Sequence, residues 1–143
     1  MNNKITIING PNLNLLGERE QSQYGSISFD DLKQNCLKKA KEIEINLDFV
    51  QYNIEGDIVN LIQEARNNYD GIIINAAAYT HTSVGIGDAI RSISTPTIEV
   101  HISNTYSREE YRHKSFLSAH VKGVILGFGL KSYDLALESF SHL

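Results

Sequence analysis

The chain has 143 residues, 41% hydrophobic and 21% charged, with 13 Lys plus Arg against 17 Asp plus Glu and a net charge of −4. Basic residues scattered among acids argue against nucleic acid as the main partner. A domain of this length buries roughly 68–70% of its unfolded surface and needs no metal or disulfide staple. A single Cys36 excludes an internal disulfide and fits a reducing, cytoplasmic setting, and no apolar run approaches the roughly 20 residues that span a membrane.

Ile5, Ile7 and Ile8 predict a buried first strand, stopped by Asn9, Gly10 and Pro11. It begins so near Met1 that no signal peptide is expected. The polar stretch that follows, to Gly25, is long for a strand-to-helix connection, and a loop at this point of an α/β chain is a common site of lids. Ser28 followed by Asp30 and Asp31 reads as an N-cap with first-turn acids, and Phe29, Leu32, Cys36, Leu37 and Ala40 recur with helical period. A second strand is predicted over 46–53 and a second helix over 55–68, with Ile58, Leu61, Ile62 and Ala65 on one face. Residues 71–75, GIIIN, read as a central parallel strand. Thr82 or Ser83 caps a helix to about residue 93, and Pro96 separates it from a fourth strand over 97–102. A short helix opens at 107–110, a fifth strand covers 123–128, and an amphipathic helix closes the chain over 132–140. Alternation of this kind predicts a single domain over 1–143, a doubly wound five-stranded parallel sheet of flavodoxin-like order 2-1-3-4-5 with helices on both faces. A (β/α)₈ barrel needs about 250 residues and is excluded.

In such a sheet ligands bind beyond the carboxyl ends of the strands. Those ends collect Asn9 and Asn12, the loop bearing Arg19 and Tyr24, then Asn75, Tyr79 and His81, then Glu99, His101, Ser103, Asn104, Arg108 and Arg112. Each has a plainer reading. Asn9 to Asn12 are common turn residues, His81 precedes a helix it could cap, and Tyr24 alone suits packing. Arg108 and Arg112, four apart, would share one helix face, solvated or partnered by Glu109. Glu99 and His101 alternate onto one face of an internal strand, where a carboxylate is rare unless paired; the pair serves either structure or chemistry. Arg19 beside Tyr24 makes the tyrosine a candidate base, because a cation stabilises a phenolate. Gly85-Ile-Gly87 lacks a third glycine for a dinucleotide fingerprint, and no GxxxxGK[ST] phosphate loop or GxSxG elbow occurs. His81 and His101 do not form a close zinc-ligand pair. A receiver domain would need a phosphoacceptor Asp where Asn75 stands, and a flavin carrier a Ser/Thr-rich loop where Asn-Gly-Pro-Asn stands.

Assembled in order, Asn9-Gly-Pro-Asn-Leu-Asn-Leu-Leu-Gly17, Arg19-Glu20, Tyr24-Gly25, Asn75-Ala76, Tyr79-Thr-His-Thr-Ser83, Ile98-Glu-Val-His-Ile-Ser-Asn104 and Arg108-Glu-Glu-Tyr-Arg112 resemble type II 3-dehydroquinate dehydratase over essentially the whole chain. The resemblance implies anti elimination of water from 3-dehydroquinate through an enolate, giving 3-dehydroshikimate in the shikimate pathway. It implies Tyr24 as base, favoured by Arg19; Asn12, through a water, stabilising the enolate; and His101, oriented by Glu99, helping to protonate the departing hydroxyl together with Asn12. Ile102 and Ser103 match the family's carboxylate site, and Asn75, His81 and Arg112 the residues that hold ring hydroxyls, with Arg108 supporting Tyr24. No metal or other cofactor is implied. Asp88 matches a residue that reaches a neighbouring subunit's site in a dodecamer of four trimers; no nucleic acid or membrane partner is implied. Two positions depart from the pattern. Gln21 stands where relatives often have proline, so a more mobile open lid is expected. The glycines of Gly85-Ile-Gly-Asp88 predict a weaker helix there.

Overall fold

The computed structural model describes residues 3–18, 20–24 and 26–141. Its sheet follows from the apolar runs. Strands β1 (Asn3–Asn9), β2 (Ile45–Gln51), β3 (Gly71–Asn75), β4 (Thr97–His101) and β5 (Gly123–Leu126) pair in parallel in the order β2-β1-β3-β4-β5, the predicted doubly wound arrangement. Every residue of β3 is buried, as befits a strand covered on both faces. β2, at an edge, alternates buried Ile45, Leu47 and Phe49 with exposed Asn46 and Asp48.

Alternation divides the core in two. Ile5, Ile7, Ile73, Ile98 and Val100 pack beneath α2 (Phe29–Glu42) and α5 (Lys131–Phe140). Ile8, Ile72 and Ile74 pack beneath α3 (Glu55–Asn68) and α4 (Val84–Arg91). Caps fix where helices start. Ser28 Oγ accepts the Asp31 N–H at 3.1 Å while Asp31 Oδ2 accepts the Ser28 N–H at 3.3 Å, a reciprocal capping box. Ser83 Oγ accepts the Ile86 N–H at 2.9 Å and starts α4. Among the described residues no helix is long and apolar enough to cross a membrane.

Several stretches differ from expectation. The strands predicted over 46–53, 97–102 and 123–128 end one or two residues early, at Gln51, His101 and Leu126. The helix predicted from Ser107 is instead two 3-10 turns, Thr105–Ser107 and Glu110–Arg112, with Arg108 extended between them. No apolar stripe runs through this stretch to hold a helix against the core, so local turn bonds decide its path: the Asn104 side chain accepts the Tyr106 N–H at 3.1 Å. The long connection after β1 forms a 3-10 turn at Leu13–Leu15 and a single helical turn, α1 (Gln21–Tyr24).

Two glycines record close approach of backbone. A Cβ on Gly10 would lie 2.3 Å from the Ala76 carbonyl oxygen, where the ends of β1 and β3 meet. A Cβ on Gly87 would lie 2.4 Å from the Phe116 carbonyl oxygen, so α4 presses directly on the segment after Arg112. Gly87 therefore marks tight packing, and the weak helix expected from the glycine pair forms as α4. Gly85 has only Ser83 Oγ nearby, at 3.8 Å. Opposite effects are expected from the same substitution. Gly87→Ala costs about 1–3 kcal/mol through overpacking. Gly85→Ala is neutral or stabilises by up to about 1 kcal/mol through helix propensity. Denaturant midpoints of the two variants check the pair.

Candidate active site

β1 and β3 deliver Asn9 and Asn75 side by side in register, both buried. Tyr133 of α5 lies beneath them, itself wholly buried. Its hydroxyl donates to Asn9 Oδ1 at 2.7 Å and accepts from Asn75 Nδ2 at 2.8 Å. Asn9 Nδ2 donates to the Val50 carbonyl at 3.0 Å, and Asn75 Oδ1 accepts the Ala77 N–H at 3.1 Å with Ala77 at φ 52°. Burial pushes the Tyr133 phenol far above its ordinary range, so it stays a neutral donor. These partners fix the Asn75 amide's orientation and leave it one N–H to offer a ligand.

β4 ends in the predicted pair. Ile98 and Val100 face the α2/α5 core, so Glu99 and His101 fall on the opposite side. Glu99 is 1% exposed, and His101 Nε2 donates to its Oε2 at 2.5 Å. Burial alone would raise the Glu99 carboxyl, but hydrogen bonds from His101, Ser118 and Ser115 outweigh it and hold the group below its usual value. The ring of His81 stacks toward His101 with centroids 6.3 Å apart. His81 Nδ1 donates to the Lys114 carbonyl at 2.7 Å. Burial, against that bond and with the nearby His101 and Arg112, holds His81 below its usual 6.5. At neutral pH it is an uncharged ring whose Nε2 can accept from a ligand hydroxyl.

The loops complete the cavity. Arg108 Nη1 donates to the Tyr24 hydroxyl at 2.7 Å, and its guanidinium carbon lies 5.3 Å from the Tyr24 ring centroid. The same nitrogen reaches Ser103 Oγ at 3.4 Å, and Nη2 lies 3.7 Å from Glu20. Arg112 Nε donates to Glu109 at 2.7 Å, so the plain ion-pair reading of that residue holds even as it faces the cavity. Asn12, in the left-handed region at φ 69°, is anchored by its N–H on Asn53 Oδ1 at 3.0 Å. A cavity of about 160 Å³ is lined by Asn12, Tyr24, Asn75, His81, His101, Ile102, Ser103, Arg108 and Arg112, with Leu13 and Thr105. Two guanidinium groups suit an anionic ligand, and the neutral amide and imidazole suit hydroxyls. A phenol on a cation and an imidazole on a carboxylate supply two proton-transfer groups.

Residues 3–141 match the family described as Dehydroquinase class II. The chain belongs to the class II dehydroquinase family. It is 52% identical over 134 residues to the 3-dehydroquinate dehydratase of Prochlorococcus marinus (strain NATL1A), covering 94% of this chain and 92% of that one. The crystal structure of type II dehydroquinase from Propionibacterium acnes superposes with a TM-score of 0.96 at 40% identity, covering 100% and 99% of the two chains. That from Butyrivibrio crossotus superposes at 0.95 with 46% identity, covering 96% and 97%. The resemblance carried by the sequence motifs is thereby established.

In this class II dehydroquinase fold the structure brings together Asn12, Tyr24, Asn75, His81, His101, Ile102, Ser103 and Arg112, with Glu99 behind His101. Asp88 stands exposed on α4, outside the cavity of its own chain. Arg19 lies outside the described residues. Sequence reasoning missed Tyr133, Ser115 and Ser118. The only hint of Tyr133 was a phenol in the apolar register of α5; two serines three apart carry no signal. Among the described residues no group of three or more His, Cys, Asp or Glu is placed to hold a metal ion. Tyr133→Phe removes one hydroxyl and strands the buried Asn9 acceptor and Asn75 donor. A loss of about 2–4 kcal/mol is expected, at the scale of buried unpaired polar groups, read from the denaturant midpoint.

Proposed function

We propose that this cavity removes water from 3-dehydroquinate by anti elimination through an enolate, giving 3-dehydroshikimate. That is the hydro-lyase activity for which the relatives are named, a step of the shikimate pathway. The observation that carries the mechanism is the Tyr24 hydroxyl on Arg108 in the cavity that also holds His101, seated on Glu99.

The C–H beside a ketone is a weak acid, so its removal needs a placed base and a stabilised enolate oxygen. Tyr24, as a phenolate favoured by Arg108 and by Arg19 from the same loop, takes that proton. Asn12, through a bound water, holds the enolate. When the enolate collapses, the C–O bond breaks and His101 gives its proton to the departing hydroxyl, which leaves as water. The Glu99 carboxylate steadies the ring's charge before the transfer. The Ile102 and Ser103 amides and the Ser103 hydroxyl hold the substrate carboxylate. Asn75 as donor, His81 as acceptor and Arg112 hold the ring hydroxyls. Tyr24→Phe is expected to cut kcat by at least about 100-fold, the scale of a lost general base, while substrate still binds. Ultraviolet absorbance of the conjugated enone product measures turnover, and its absence with the wild-type protein would overturn the reaction itself.

The whole chain acts as one catalytic domain in the cytoplasm. Its working assembly is a dodecamer of four trimers in which Asp88, exposed on α4, reaches a neighbour's cavity. Sedimentation of the active enzyme is expected to show that assembly, with turnover lost on dissociation. A fully active monomer would refute the shared site.

A further inference from the structure

The Glu99 carboxylate has more partners than His101. Ser118 Oγ donates to Oε1 at 2.7 Å, and Ser115 Oγ lies 3.2 Å from Oε1 and 3.1 Å from Oε2. Ser115 has no choice of direction: its oxygen accepts the Leu117 N–H at 3.0 Å and the Ser118 N–H at 3.1 Å. With both lone pairs engaged, its proton points to Glu99. Three donors, two hydroxyls and the His101 ring N–H, thus converge on one carboxylate buried to 1% exposure. Protonating Glu99 would set an O–H among those donors, so the arrangement is built for the ionised form.

We infer that Ser118 and Ser115 are positioning residues that clamp Glu99 as the acceptor for His101 Nε2–H, leaving Nδ1 as the ring nitrogen that serves the reacting hydroxyl. A carboxylate free to rotate would fix neither the ring's tautomer nor its plane. The serines spread the charge of Glu99 over more hydrogen bonds and make it a poorer proton acceptor. The Nε2 proton therefore stays on the ring side of the bond, and the ring keeps the orientation that leaves Nδ1 for the cavity. The catalytic consequence rests on the proposed role of His101 as proton donor; the clamp on the ring does not.

Ser118 is the clean probe, because among the described residues its hydroxyl bonds only to Glu99, whereas Ser115 also holds the turn at 115–118. In the full-length enzyme, Ser118→Ala is expected to lower kcat about tenfold, the scale of one hydrogen bond to a charged group. KM for 3-dehydroquinate stays within about twofold, and Ser118→Thr, which keeps the hydroxyl, restores most of kcat. Solid-state NMR of ¹⁵N-histidine-labelled enzyme, assigned with His101→Gln, is expected to show a strongly hydrogen-bonded Nε2–H on His101 that shifts in Ser118→Ala and returns in Ser118→Thr. An unchanged His101 signal with unchanged kcat overturns the clamp. So does a drop in kcat that Ser118→Thr does not restore and that accompanies lower thermal stability. If the wild-type enzyme fails to dehydrate 3-dehydroquinate, the functional reading falls while the ring-nitrogen comparison still decides the clamp.

Discussion

Between α5 and the ends of β1 and β3, the Tyr133 hydroxyl sits out of reach of water and bonds to two buried amides at once. The loop containing Asn12 leaves from one of those strand ends and the segment containing His81 from the other. A buried polar group without a partner costs about 1–3 kcal/mol, so the two ends cannot part without exposing or orphaning amides. Gly10 reinforces the constraint from the backbone side, since no side chain fits between it and Ala76. The base of the cavity is therefore as rigid as the core beneath it. Asn75, the one of these two amides that lines the cavity, is held by that constraint.

On this base stand two charged couples of opposite design. In one, a guanidinium supports a phenol, Arg108 on Tyr24; in the other, a carboxylate supports an imidazole, Glu99 on His101. Both couples line the same cavity, so a phenol and an imidazole, each bonded to a charged partner, stand where a ligand would bind. His81 lies close to the second couple yet is kept neutral, burial being the main cause. A cationic ring at His81 would compete with His101 for the Glu99 carboxylate. A neutral His81 can instead read a ligand hydroxyl without disturbing the proton inventory.

Much of the molecule was legible because regular structure repeats. The isoleucines of β1 and β3 alternate between two cores, Ser28 and Asp31 announce a helix, and five strand–helix alternations leave little choice of topology. The strand-end residues were legible for a related reason, because a parallel sheet collects polar groups at its carboxyl edge. Between His101 and Gly123 that reasoning fails. Residues 105–118 have no hydrophobic period to follow, and spacing suggested a helix where the chain makes two separate 3-10 turns. Arg108 and Arg112 face the cavity together because of those turns. Ser115 and Ser118 acquire meaning only through Glu99, 16 and 19 residues away in sequence. Tyr133 was hidden by its own surroundings, since an aromatic residue on a buried helix face looks like packing.

Gln21, where the resemblance leads one to expect proline, makes a local bond of its own. Proline at position 21 would fix φ at the first residue of α1, a position where its missing N–H costs little. Gln21 leaves φ free but donates from its side chain to the Gly17 carbonyl at 2.9 Å, tying the start of the turn back to the preceding loop. An exposed hydrogen bond contributes about 1 kcal/mol at most, and water competes for both partners. The far end of α1 is held differently. There the Tyr24 hydroxyl meets Arg108, whose side chain is 5% exposed, where water competes far less. Of the two bonds that hold the ends of α1, the Tyr24–Arg108 contact is thus the one better shielded from water.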